Sequence, residues 1–217
     1  MFHPLDQPME RGWVGRIDGE HVVHLAGQTL QSFLTGGGRE HAVYPLAGVR
    51  VLAPVLHPPA VRVFDDQTSF AFANPAAIVG PGSDVPGTEV LPRLAAVIGA
   101  RGALGGFTVL ADWRRPGSPP PKDRDFALGL GPVVVTRDEL EPEGLAATVR
   151  VDGVERLRGG FDAFDWDAAH DHAAAGTRLR AGDLLAGPAL GSAAVGQGIA
   201  VELVVDRIGV LAQTVAR

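Results

Sequence analysis

"EVLPRLAAVIGARGALGGFTVLADWRRP" runs from Glu89 to Pro116. Its two apolar runs predict buried strands over 88–99 and 105–111. One acid, Asp112, follows the second run, and then come Trp113, two arginines and Pro116. A carboxylate at the end of a buried strand is costly unless something offsets its charge. Asp112 therefore reads as a metal ligand, a catalytic group or a salt-bridge partner.

Outward from this stretch, further strands are expected at 70–73, 76–80, 131–136, 146–151, 199–206 and 208–215, densely punctuated by Gly and Pro. Residues 13–24 read as a hairpin, with Asp18-Gly19 as the turn signal. A short helix is predicted over 27–35, ended by Gly36-Gly37-Gly38. A longer one is predicted over 162–175, although its Asp and His residues support it weakly. The proline-broken stretch ending at Phe64 places a boundary near residue 56. This gives a small β-rich N-terminal domain, 1–55, and a core domain, 56–217. The fold class is mostly β with a few helices.

Composition narrows the chemistry. The 217 residues can bury a sizeable core without staples. There is no cysteine, which excludes disulfides, zinc–thiolate sites and thiol nucleophiles. The net charge of −6 and the lack of a basic block argue against a nucleic-acid partner. The first residues lack the apolar stretch of a signal peptide, and no run is long enough to span a membrane. A cytoplasmic protein is expected. Lys122 is the single lysine beside 18 arginines. It is either a chance survivor or a position that needs a flexible ammonium.

Other candidates read as ordinary surface. His170 and His172 lie two apart on a predicted helix and point about 200° from each other, so they cannot chelate one ion. His21 and His24 flank the hairpin. Asp65 and Asp66 are adjacent, so they share a site only in a loop. "GPGSDVPG" (80–87) lacks the lysine and following helix of a phosphate loop.

The order of the blocks "FANPAAIVGPGSDVP", "LAAVIGARG", "GGFTVLADW", the stretch from Lys122 to Leu140, "LRAGDLLAGPALG" and "GQGIAVELVVDRIGVLAQTV" resembles the fumarylacetoacetate hydrolase family, in its bacterial hydrolase/isomerase/decarboxylase branch. The likeness covers about residues 50–217. It implies a mixed β roll and a homodimer. It also implies a Mg²⁺-type ion held by three carboxylates, two from an E-x-E strand and one Asp from a later strand. Such an ion grips a 2-oxo or diketo acid and stabilises its enolate. On this resemblance Asp112 falls on the third ligand position, and Lys122 and Gly131-Pro132 fall on family positions, with Lys122 toward the substrate.

The departures are specific. The two glutamate positions hold Leu91 and Arg93. Glu89 lies on the same strand face but one pair early, a displacement of about 6.6 Å, whereas Mg²⁺ needs oxygens at about 2.1 Å. Ala111 and Pro116 stand where the family has Asn and Arg. "LAGPALG" (185–191) replaces a Thr-Gly-Thr-Pro loop, and "VRVFDDQTSFAF" (61–72) lacks the family's histidine and glutamate. The leading expectation is a family member with impaired or lost metal-dependent catalysis and no cofactor. It would bind a small acidic metabolite or pair with an active paralogue, and Arg93 would neutralise Asp112. The alternative is an active hydrolase, isomerase or decarboxylase of 2-oxo or diketo acids, with Mg²⁺ or Mn²⁺ on Asp112, Glu89 and Asp65 or Asp66.

Overall fold

The computed structural model describes all residues except 28, 37, 162 and 163. In chain order the first strands are β1 (Phe2–Pro4), β2 (Val14–Asp18), β3 (His21–Leu25), β4 (Glu40–Pro45) and β5 (Val49–Val51), with helix α1 (Leu30–Leu34) between β3 and β4. Next come β6 (Val61–Phe64), β7 (Phe70–Ala73), β8 (Ile78–Val79), β9 (Asp84–Val85), β10 (Glu89–Ile98), β11 (Leu104–Arg114) and β12 (Leu128–Thr136). The rest are β13 (Ala146–Val151), β14 (Val154–Gly160), helix α2 (Trp166–Ala174), β15 (Leu184–Ala186), β16 (Ala193–Ala194), β17 (Ala200–Val205) and β18 (Gly209–Val215).

Two sheets make the roll. The larger has the order β7-β6-β15-β10-β11-β12-β8, with β16 also pairing with β10; the smaller has the order β14-β13-β17-β18-β9. β10 and β11 are the long central strands of the larger sheet. One of their faces carries Leu94, Ala96, Phe107, Val109, Ala111 and Trp113 into the main core, which the smaller sheet and α2 close. The opposite face carries Ala95, Val97 and Leu110 into a second core, covered in part by Leu30 and Leu34 of α1. Burial on both faces explains why these strands read as continuous apolar runs. The sheets are joined by Gln213 of β18, which accepts from Trp113 Nε1 at 2.7 Å. Gly129 must lack a side chain here, because a Cβ would stand 2.1 Å from Gln213 Oε1.

The N-terminal residues form the meander β2-β3-β4 and the pair β1-β5. Phe2, Trp13 and Tyr44 pack at its centre, and the Trp13 ring stacks on His24 with centroids 4.6 Å apart.

Several expectations need correction. The hairpin turn falls on Gly19-Glu20, one residue later than the Asp18-Gly19 signal, with Gly19 at φ 56. The strand expected over 105–111 runs to Arg114, so Asp112 lies within the pairing rather than beyond it. The strand expected over 76–80 is a short 3-10 turn at Pro75–Ala77 followed by two paired residues, because Asn74 caps the turn through Ala76 N. The helix expected over 162–175 starts at Trp166, where the Asp165 side chain accepts from Ala168 N; residues 162 and 163 lie outside the described part. The helix expected over 27–35 is Leu30–Leu34, capped by Thr29; residue 28 and the Gly37 of its expected stop also lie outside the described residues. β14 was not expected at all. It is an edge strand, mostly exposed, with Glu155, Arg156 and Arg158 among its residues, so it has no apolar alternation to read.

Candidate functional site

The antiparallel register of β10 and β11 builds the site. Glu89 lies opposite Arg114, Leu91 opposite Asp112, and Arg93 opposite Leu110. Side chains two apart on a strand share a face, so all six project from the face away from the main core. Directly opposed Cβ atoms are about 5 Å apart and diagonal ones about 7–8 Å. Leu91 is thus Asp112's nearest cross-strand neighbour, and Arg93 reaches Asp112 along the diagonal.

Arg93 is the centre of this arrangement. It is 1% exposed, and Asp112 is 2% exposed. Arg93 Nε donates to Asp112 Oδ2 at 3.1 Å. Its Nη1 donates to the carbonyls of Phe64 (2.9 Å) and Gly187 (3.0 Å), and its Nη2 donates to Asp65 Oδ1 at 3.0 Å. Every nitrogen of the guanidinium therefore meets an oxygen, and the oxygens come from β11, from the end of β6 and from the loop after β15. Asp112 also accepts from Arg114, Nε to Oδ1 at 2.9 Å and Nη2 to Oδ2. One buried carboxylate is shared by two guanidiniums, in charge-assisted bonds with the fork geometry that arginine alone supplies.

A cleft of about 440 Å³ opens beside this network. Its walls include Glu89, Leu91, Arg93 and Arg114 from the central strands, Asp65 from the β6–β7 turn, and Arg115, Ser118, Asp123 and Arg124 from the loop after β11. That loop begins as a turn closed by Ser118 N donating to Arg115 O at 3.2 Å. The backbone of 187–190 lies along β10, with Gly187 N donating to Leu94 O and Leu190 N to Pro92 O. This course brings the Gly187 carbonyl to Arg93.

The other sequence candidates fall in different places. Lys122 is 73% exposed at its side chain, and its Nζ bonds Asp125 Oδ2 at 2.6 Å. It stands next to Asp123 and Arg124 in the chain but does not line the cleft. Asp66 turns away from Asp65. Its carboxylate accepts from the backbone and hydroxyl groups of Thr68 and Ser69, and these bonds hold its carboxyl below the usual aspartate range. His170 Nε2 lies 2.7 Å from the Gly102 carbonyl, while His172 packs against the edges of Phe64 and Phe70. Among the described residues, no group of three His, Asp or Glu side chains is arranged to hold a metal ion.

Three participants were not legible beforehand. The Phe64 and Gly187 carbonyls are backbone groups and have no sequence signature. Arg114 had one: an acid and an arginine at i and i+2 on a strand share a face.

No helix is long and apolar enough to cross a membrane among the described residues. Among curated proteins no relative matches by sequence. Solved structures do match in fold. Maleylpyruvate hydrolase from Sphingobium sp. SYK-6 superposes with a TM-score of 0.80 at 21% identity, covering 95% of this chain and 97% of that one. A structure of that enzyme in complex with manganese(II) ion and pyruvate gives 0.78 at 20% identity, with the same coverage of both chains. 5-Carboxymethyl-2-hydroxymuconate delta-isomerase from Mycobacterium smegmatis gives 0.77 at 22% identity, covering 100% of this chain and 98% of that one. The family profile described as Fumarylacetoacetate (FAA) hydrolase C-terminal matches residues 56–216. With the profile spanning the central strands, the cleft and the closing sheet, this chain belongs to the fumarylacetoacetate hydrolase family.

Proposed function

We propose that this protein is a family member in which the Arg93 guanidinium replaces a divalent ion, and that its cleft binds a small carboxylate without metal-dependent turnover. The observation that carries the reading is the four-oxygen shell around Arg93. The residues do not fit a divalent ion. Two positions that would supply carboxylates carry an apolar side chain, Leu91, and a cation, Arg93. Asp65 and Asp112 already neutralise that cation. A guanidinium within contact distance of Asp112 repels a second cation and fills its space. Glu89 faces Arg114 in the register and lies one pair away from Asp112. The unit 1–55 stands in this reading as a small β-rich N-terminal domain that packs on the core 56–217 through Leu30, Leu34, Ala53 and Val55, and the protein works as a homodimer in the cytoplasm. Lys122, paired with Asp125 on the loop after β11, takes no part in proton transfer in this reading.

The test is calorimetric titration of the full chain with Mn²⁺ and Mg²⁺, together with assays of acylpyruvate cleavage and oxaloacetate decarboxylation. Binding no tighter than millimolar and rates within a few-fold of the no-enzyme control are expected. Micromolar Mn²⁺ affinity that disappears in Asp112→Ala would overturn the reading in favour of the alternative, a metal enzyme with its ion on Asp112, Glu89 and Asp65 or Asp66. Light scattering at micromolar concentration decides between a dimer and a monomer.

A further inference from the structure

The charges that line the cleft are not all committed to each other. Asp112 accepts from Arg93 and Arg114, Asp65 from Arg93, and Asp123 from Arg124. What is left over has both signs. Glu89 sits opposite Arg114 across the strands, where opposite charges ordinarily pair. Arg114 instead folds back onto Asp112, two residues before it in its own strand. Among the described residues Glu89 makes no ion pair or side-chain hydrogen bond, so its carboxylate faces the cleft unpartnered. Arg115, on the loop after β11, also lines the cleft and makes no ion pair among the described residues. It donates through Nη2 to the Pro86 carbonyl at 3.1 Å and lies 4.8 Å over the Phe126 ring. The hydroxyls of Ser118 and Ser192 also line the cleft without a bond to any described residue.

A purely anionic ligand would answer Arg115 but stand against Glu89, where like charges repel. A ligand with one charge of each sign answers both, through charge-assisted hydrogen bonds of carboxylate to guanidinium and of ammonium to carboxylate. We propose that the cleft recognises a small zwitterion of the α-amino acid class, its carboxylate on Arg115 and the serine hydroxyls, and its ammonium on Glu89. This inference rests on the reading of the cleft as a metal-free carboxylate site and sharpens the ligand class.

Calorimetric titration of the full chain with matched pairs tests it: L-alanine against pyruvate, and L-glutamate against 2-oxoglutarate, each with and without Mn²⁺. At least one amino member is expected to bind ten-fold or more tighter than its 2-oxo partner, independently of Mn²⁺. Glu89→Gln should erase that preference, and Arg115→Gln should weaken both members of the pair. A 2-oxo acid that binds as tightly as its amino partner, in the absence of metal, overturns the zwitterion while leaving the metal-free carboxylate site in place. Failure of all four to bind overturns the zwitterion as well. Binding of the 2-oxo acids only when Mn²⁺ is present overturns both readings at once.

Discussion

The protein buries two arginines in the same sheet, and they are held very differently. Arg93 on β10 has an oxygen for every nitrogen, drawn from three separate parts of the chain. Arg62 on β6 reaches a single carboxylate, Asp183, at 3.3 Å. Its Nε and the second oxygen of Asp183 are buried without a partner among the described residues. The remainder of its surroundings is aromatic, with the guanidinium 5.3 Å over Phe72 and 5.8 Å over Phe70. The difference separates two roles. Arg62 fastens β6 to the turn that leads into β15, where ring contacts moderate the cost of burial. Arg93 completes a cage of oxygens that requires a cation, since two carboxylates and two carbonyls turned toward one empty point would repel each other.

Removing the two guanidiniums in turn is the sharpest way to break this contrast. Arg93→Ala should cost about 3–5 kcal/mol, the range for taking one partner from a buried pair, read as a drop in the urea midpoint at unchanged slope. Arg93→Lys should recover little, because an ammonium cannot meet four oxygens spread over a planar fork. An Arg93→Ala protein as stable as the parent would put Arg93 in the same class as Arg62.

Changing the cation rather than deleting it is the second test. In the double variant Leu91→Glu with Arg93→Glu, the cage should accept a divalent ion, since Asp112 and Asp65 are already placed. Mn²⁺ at about 100 times its dissociation constant should then raise stability by about 2.7 kcal/mol and leave the parent unchanged. Thermal melts with and without the ion measure both.

Arg62→Ala should cost less, near the lower end of about 3–5 kcal/mol for a buried pair that loses one partner, because only one side-chain bond is lost. Asp183 keeps the Arg180 backbone N–H at 3.1 Å when Arg62 is gone. A loss as large as that of Arg93→Ala would show that the fastening matters as much as the cage.

The smallest effect belongs to the N-terminal meander. Burial, and next the neighbouring His41, hold His24 below its ordinary value of 6.5. The unfolded chain therefore takes up this proton more readily than the folded one, and stability falls as pH drops below about 6.5. Urea midpoints at pH 7.5 and 5.5 should show this loss, and His24→Gln should reduce it.

What the sequence showed and what it hid follow one physical distinction. β10 and β11 were legible because both their faces are buried, and continuous apolar runs such as Leu94–Ile98 have few other uses. β14 was hidden because an exposed edge places no demand on its side chains. The encounter of Arg93 with Asp112 came from the order of the blocks and their spacing, since 19 residues separate the two and no local pattern joins them. Lys122 shows the limit of that route. Its place in the chain was right for a rim loop, but the direction of its side chain depends on Asp125, three residues on. Backbone oxygens such as those of Phe64 and Gly187 lie beyond any reading of residue types, because every residue carries one.

A bound ion has a dissociation constant, and its occupancy follows whatever the surroundings supply. The guanidinium of Arg93 is joined to the chain by covalent bonds, so its local concentration never changes and no chelator competes for it. Mass action, which ties the stability of a metal-loaded fold to free metal, has no hold on this cage. The protein keeps a full complement of charge at its centre in metal-rich and metal-starved conditions alike, at the cost of a cation that can neither exchange nor open a coordination position.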